Sequence, residues 1–324
     1  MSDPAGGVVR FYDFSPVQDL DCAEILAGLG SAQKRIPSRF LYDARGRQLL
    51  GRIGELPEYY LVRAETRILL ECMGEIAAYL GPDALLVGFG ADASKRTCDL
   101  LSALRPVLYV PVGRACDAVR EISAALHAAF PMLNIGGVCA DLAAPGHLPE
   151  WSGLAYRRKA VFYPGPGIGE FTRGEAFDFL RQVRRLVGDG GAMLAGVDLV
   201  KDSRVLHAAY NDAQGLTAEF NLNLLHRINR ELRADFRLTG FAHHAFYDAA
   251  GGRVQMELRS LQQQTVTIGA NVFDFPEGET IRTLCACKYG VEEFQDLARR
   301  AGFNPEQVWI DPEKRFSVHG LTAA

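Results

Sequence analysis

Glu170 closes the glycine-rich run Gly165-Pro166-Gly167-Ile168-Gly169-Glu170, which follows the apolar stretch Lys159–Tyr163. A carboxylate in such a loop is a candidate general base, because partial burial can raise its pKa from about 4.3 toward neutrality. Ser94-Lys95-Arg96 opens a helical stretch, and Arg114 follows the apolar strand Val107–Val112. The free N–H groups and dipole of a helix start favour anions, and arginine reads a sulfate, phosphate or carboxylate bidentately. Together these groups predict a general base, Glu170, and a cradle for an anionic group, Ser94, Lys95, Arg96 and Arg114. Cys285 and Cys287 put two thiols on one face of a strand. A structural zinc site needs four ligands and no matching pair lies nearby, so no metal is expected.

Those residues need a frame to converge. Short apolar runs alternate with helical stretches: Ala84–Phe89 before a turn at Gly90, Val107–Val112, Leu133–Val138 ending near Asp141, Lys159–Tyr163 and Ala192–Val197. Between and before them run the helical patterns Arg63–Leu80, Asp117–Ala129 and Gly174–Leu186. Apolar strands separated by helices predict an α/β fold with a doubly wound, Rossmann-like parallel sheet. Ligands of such sheets bind beyond the carboxyl ends of the strands, where Gly90, Arg114, Asp141 and Glu170 collect. After Asp202 the pattern changes to the long helix Gln214–Leu232 and strand-like alternations: Phe236–Phe246, Arg253–Ser260, Thr265–Ile268 and Thr280–Tyr289. The helix Val291–Ala301 and a last strand, Gln307–Ile310, end the chain. The expected divisions are an N-terminal segment, 1–60, serving the substrate lid, an α/β domain, 61–200, and an α+β substrate domain with antiparallel strands, 201–324.

Composition narrows the class. The chain has 324 residues, 48% hydrophobic and 23% charged, which excludes a disordered chain and allows a large core. A net charge of −4 gives no global attraction to nucleic acid or to an anionic membrane. No apolar run approaches the roughly 18–20 residues that span a bilayer, and the start MSDPAGGVVRFYDF lacks the pattern of a signal peptide. A cytoplasmic protein is expected. The seven cysteines are odd in number, scattered and mostly in apolar segments, which predicts buried free thiols.

Several long stretches together resemble the histidine-specific Nα-methyltransferases: Ser38–Gly46, LPEYYLVRAET at Leu56–Thr66, GVDLVKD at Gly196–Asp202 and LTAEFNLNLLHRINRELRADF at Leu216–Phe236. The similarity runs from about Arg35 to the C-terminus. It implies a methyltransferase fold, S-adenosylmethionine as cofactor and transfer of methyl groups to the α-amine of histidine. It further places Tyr42, Tyr59 and Tyr210 around the substrate, Met256 in its wall, and Gly90 and Asp141 against the cofactor.

The local residues depart from that family where chemistry is done. Its first cofactor motif, an acid followed by Leu-Gly-Ser-Gly, is Gly88-Phe89-Gly90-Ala91-Asp92 here. Its acid at the end of the second strand is Gly113, and its lysine in the next helix is Arg96. Its carboxylate-holding asparagine falls on Glu170, and its imidazole-reading Glu and Ser fall on Leu284 and Ala286. A site that loses its polar partners loses the discrimination they supplied, so histidine is not the expected substrate. Acceptors lost at positions 88 and 113 predict a vestigial cofactor site, marked by Gly90 and Asp141, and no cofactor in use. The expected activity is elimination or intramolecular substitution, such as closure of a small nitrogen ring. It would act on an amino-acid-derived molecule with a sulfate or phosphate leaving group, with Glu170 and Tyr59 catalytic. Two alternatives stand beside it: an S-adenosylmethionine-dependent N-methyltransferase of a non-histidine amino acid, and a non-catalytic scaffold. The expected partner is a small-molecule substrate, with a small partner protein left open and neither nucleic acid nor membrane.

Overall fold

The computed structural model describes residues 7–14, 21–90, 93–140, 148–149, 151 and 153–324. Its strands in chain order are β1 (Val9–Asp13), β2 (Ala84–Phe89), β3 (Leu108–Gly113), β4 (Asn134–Cys139), β5 (Arg158–Tyr163), β6 (Ala192–Asp198), β7 (Phe241–Asp248), β8 (Arg253–Ser260), β9 (Gln264–Ile268), β10 (Asn271–Phe275), β11 (Thr280–Cys287), β12 (Phe303–Ile310) and β13 (Phe316–Ala323). Eight of them form one sheet in the order β1-β4-β3-β2-β5-β6-β13-β12. The six strands from β1 to β6 pair in parallel. All six residues of β2 and all seven of β6 are buried, as expected where helices cover both faces of a parallel sheet. The chain winds from β2 outward through β3 and β4, then returns to the other side of β2 as β5 and β6. The strand order therefore reverses between β2 and β5, and a crevice opens there at the carboxyl ends.

Local signals set the helices. The helix Arg173–Val187 starts at a reciprocal capping box, with Thr172 accepting from the Glu175 amide and Glu175 accepting from the Thr172 amide. The apolar period over 63–80 predicts one helix, and the structure has two, Tyr60–Glu71 and Met73–Leu80. Cys72 leaves helical geometry between them at φ −109°, ψ 13°. Ile68, Leu69, Ile76 and Leu80 are nonetheless all buried, so the apolar stripe crosses the break.

The second half differs more from expectation. The antiparallel sheet β11-β8-β7 and the hairpin β9–β10 are present, with the helix Leu216–Leu232 packed on β7 and β8. The segment 201–324 also supplies C-terminal strands. β12 and β13 return to the main sheet, with β13 antiparallel to β6. The sequence reading stopped at Ile310 and overlooked β13. Seven of its eight residues are buried, because it lies inside the sheet between β6 and β12 rather than at an edge. No helix among the described residues is long and apolar enough to cross a membrane.

Candidate active site

Close packing presents Glu170. The tight turn Gly167–Glu170 follows β5 and presses on β11. A Cβ at Gly169 would lie 2.6 Å from the carbonyl oxygen of Cys287, and one at Gly167 would lie 2.6 Å from the hydroxyl of Tyr163. Only glycine lets the turn approach that closely. The Glu170 carboxylate then meets the short turn Ser38–Leu41 and its next residue. Tyr42 donates to Oε1 at 2.5 Å, and Ser38 donates to Oε2 at 2.9 Å. Burial pushes the Glu170 pKa above the ordinary carboxylate value. The bonds from Tyr42 and Ser38, and the more distant charge of Arg114, pull against that without cancelling it.

One cavity holds most of the candidate residues. Tyr42, Tyr59, Glu170, Tyr210 and Met256 line it together, and Leu284 and Ala286 complete a wall with Leu50, Ile53 and Phe220. Met256 on β8 pairs in register with Leu284 on β11, which places both in the same apolar floor. The Tyr59 hydroxyl has no hydrogen-bond partner among the described residues. Burial drives its pKa far up, so it stays a neutral phenol.

The basic candidates separate. Lys95 is 77% exposed and pairs with Asp99 one turn on, at 2.6 Å, so it lies on the surface. Arg96 turns inward to Glu65, whose carboxylate is buried and also accepts from the Gly165 amide at 2.6 Å. Arg96 thereby ties the helix after β2 to the turn after β5. Ser94 caps that helix in extended geometry without a side-chain cap bond. Arg114 is half-buried past β3, and its field reaches Glu170 and Tyr163. Asp141 and Asp92 lie outside the described residues.

Several functional neighbours escaped the sequence reading. Asp198, at the end of β6, accepts from Tyr60 at 2.7 Å and from Lys201 at 2.5 Å on one oxygen, and meets Lys288 at 2.7 Å on the other. Lys288 is fully buried and also donates to the Tyr210 hydroxyl at 2.9 Å. A signal existed: Lys288 ends the otherwise apolar run Leu284–Cys287, where a buried ammonium requires a counter-charge. The thiol expectation also needs correction. Cys116 and Cys139, 23 residues apart, are joined as a disulfide between the segments that follow β3 and end β4. Their spacing carried no hint of this, because sheet order alone makes β3 and β4 neighbours. Cys22, Cys72, Cys98, Cys285 and Cys287 are free thiols.

The backbone turns after β2 and β5 are open. Gly90 and Gly165 turn the chain at φ 71° and φ 74° at the ends of neighbouring strands, and a Cβ on either would meet nothing within 4 Å. Both turns leave room for close approach to backbone. At Gly88 a Cβ would lie 2.2 Å from the Tyr109 hydroxyl, so a phenol from β3 already fills that place.

The comparisons with known proteins decide the family. The model of "Histidine-specific methyltransferase, SAM-dependent" matches residues 21–323. The chain belongs to the histidine-specific methyltransferase family. It is 35% identical to histidine N-alpha-methyltransferase of Mycolicibacterium smegmatis, over 91% of this chain and 92% of that one. The Mycobacterium tuberculosis protein of the same name is also 35% identical, over 91% and 92%. An N-methyltransferase of Aspergillus fumigatus, fsqC, is 25% identical over 90% of this chain and 81% of that one.

Two expectations fall with this. An eliminating or ring-closing enzyme, and one that works without a cofactor, both conflict with a family described as S-adenosylmethionine-dependent methyltransferases and with relatives named as N-methyltransferases. Glycine at 88 and 113 in place of the family's acids does not by itself exclude the cofactor, since a neighbouring strand also shapes the place: the Tyr109 hydroxyl lies 2.2 Å from where a Cβ on Gly88 would stand.

Proposed function

We propose that the chain is an S-adenosylmethionine-dependent N-methyltransferase whose substrate is a small amine-bearing, amino-acid-derived molecule other than histidine. The observation that carries this reading is the half-buried Glu170 carboxylate, held by Tyr42 and Ser38 and facing the cavity. Amines arrive in neutral water as ammonium ions and need a free electron pair to take a methyl group. S-adenosylmethionine, when bound, supplies that methyl as an electrophile on a sulfonium sulfur. Glu170 attracts the ammonium and accepts its proton at a carboxylate oxygen, and the raised pKa makes it a stronger base. Tyr42 and Ser38 fix both oxygens, so the direction of proton transfer is set before substrate enters. Tyr59 offers a neutral hydroxyl beside the amine. The turns at Gly90 and Gly165 would hold the cofactor, with Arg114 flanking it.

Leu284 and Ala286 disfavour histidine. An imidazole there would leave its ring nitrogens without partners, a loss that such sites discriminate strongly. A carboxylate at Glu170 would meet a like charge. The test is a calorimetric titration with S-adenosylmethionine, followed by transfer of labelled methyl groups to a panel of amines that includes histidine. Micromolar cofactor binding and label on a non-histidine amine support the reading. Histidine as the best acceptor overturns its substrate half, and absence of cofactor binding overturns the rest.

A further inference from the structure

We infer that the reduced chain holds a thiophilic divalent cation such as zinc between Asp13, Cys116 and Cys139. Among the described residues this is the one trio of metal-binding side chains whose ligand atoms all lie within 4.8 Å of one another. The three come from different elements. Asp13 ends β1, Cys139 ends β4, and Cys116 opens the helix Cys116–Ala129 that follows β3. The sheet fixes their approach. Asp13 pairs with Cys139 across β1 and β4, and Gly113 pairs with Cys139 across β3 and β4. The Phe14 amide donates to the Cys139 carbonyl at 2.9 Å, and the Ala140 amide donates to the Gly113 carbonyl at 2.9 Å. The ladder thus continues past the strand ends, and the three ligands converge before any cation arrives.

The donor set selects the ligand. Two thiolates and one carboxylate favour zinc over magnesium or calcium, which take oxygen. Cys116 Sγ lies 3.5 Å from Asp13 Oδ2, and Cys139 Sγ lies 3.3 Å from the Arg114 carbonyl oxygen. Cys116 begins a 14-residue helix whose start has no side-chain cap bond, and the helix dipole favours a thiolate there. Cys116 is half-buried and Asp13 is exposed, which gives water access to a fourth position. The disulfide and the cation compete for the same two sulfurs. A sulfur bonded to sulfur has no thiolate charge to give, so binding waits on reduction. A dithiol reductant passes two electrons and two protons to the Cys116–Cys139 bond and is itself oxidised to a disulfide. The two thiols then lose their protons to water as two zinc–sulfur bonds form. The cation replaces the disulfide as the tie between these segments and adds β1 to it.

Cobalt(II) is the probe, because thiolate–cobalt bonds absorb in the near ultraviolet and tetrahedral cobalt absorbs in the visible. The full chain is reduced with dithiothreitol, freed of it by anaerobic gel filtration, and titrated with cobalt beside the unreduced chain. The reduced chain should take up one cobalt with both bands, and added zinc should displace it. The disulfide-bonded chain should show neither band. Cys116→Ser should lose the bands. Asp13→Asn should keep them and weaken binding about tenfold or more. Cys285→Ser, which removes a thiol two residues from Cys287, should change nothing. One measurement needs no variant: zinc should protect Cys116 of the reduced native chain from iodoacetamide, read by peptide mass spectrometry. Absence of the bands in the reduced chain, their presence in the unreduced chain, or their survival in Cys116→Ser overturns the site. Their loss in Cys285→Ser, or unhindered alkylation of Cys116 under zinc, overturns it as well. Unchanged affinity in Asp13→Asn overturns the part given to Asp13. Methyl transfer is not read in this experiment, so the site stands or falls apart from the proposed reaction.

Discussion

Asp198 is sealed from bulk water and Glu170 is half-buried beside the cavity, and the two carboxylates are shifted in opposite directions. Burial pushes each up, but Lys288 and Lys201 outweigh it at Asp198 and hold that group below the usual range. Glu170 has mainly hydroxyl partners, and burial wins. The more deeply buried carboxylate is the one held as an anion, so the partners decide: ammonium groups favour the charged form far more than neutral hydroxyls do. Asp198 is locked as an anion inside the protein, whereas Glu170 keeps a usable proton affinity beside a cavity.

Breaking the first half of that comparison should have the largest effect. Asp198→Asn leaves two buried ammonium groups without a counter-charge and should cost about 3–5 kcal/mol of stability at neutral pH, read from urea unfolding. Glu170→Gln should leave the unfolding midpoint nearly in place and lower kcat/KM about a hundredfold or more. The pH profile sharpens that contrast. Activity through Glu170 rises as pH climbs through its raised pKa, and the glutamine variant should lose that acid limb.

A third buried group lacks both a charge partner and a cavity. His319 on β13 packs against the Phe294 ring and makes one side-chain hydrogen bond, with the Ser317 hydroxyl at 2.9 Å, and burial lowers its pKa from 6.5 to about 3. Between those values the unfolded chain binds the proton and the folded chain does not, so stability falls as pH drops. From pH 7 to pH 5 the loss from this residue should be about 2 kcal/mol, and His319→Phe should flatten that slope in denaturation curves. The smallest effect is expected at Lys95, whose exposed pair with Asp99 is screened by water. Lys95→Ala should change turnover by no more than about twofold.

Much of the site was legible before folding. The glycine-rich loop located Glu170, the resemblance located three tyrosines and Met256, and Leu284 and Ala286 announced an apolar wall. Strand positions β2 to β6 followed from apolar runs, because strands buried on both faces must be continuously hydrophobic. What escaped was pairing across distance. Arg96 looked like an anion reader, and the structure pairs it with Glu65 on the helix Tyr60–Glu71. Lys288 carried a signal, a lysine at the end of an apolar strand, but its partner Asp198 lies 90 residues earlier.

The sequence by itself determined the family, the alternation of strands and helices, and the chemical types gathered at the strand ends. Periodicity and motif are local properties, and side-chain burial enforces them residue by residue. Only the tertiary structure decided that Glu170 receives two hydroxyls, that Lys288 meets Tyr210 and Asp198, that Cys116 joins Cys139, and that β13 closes against β6. Those contacts follow from strand order in the sheet, which sets distances that separation along the chain does not encode.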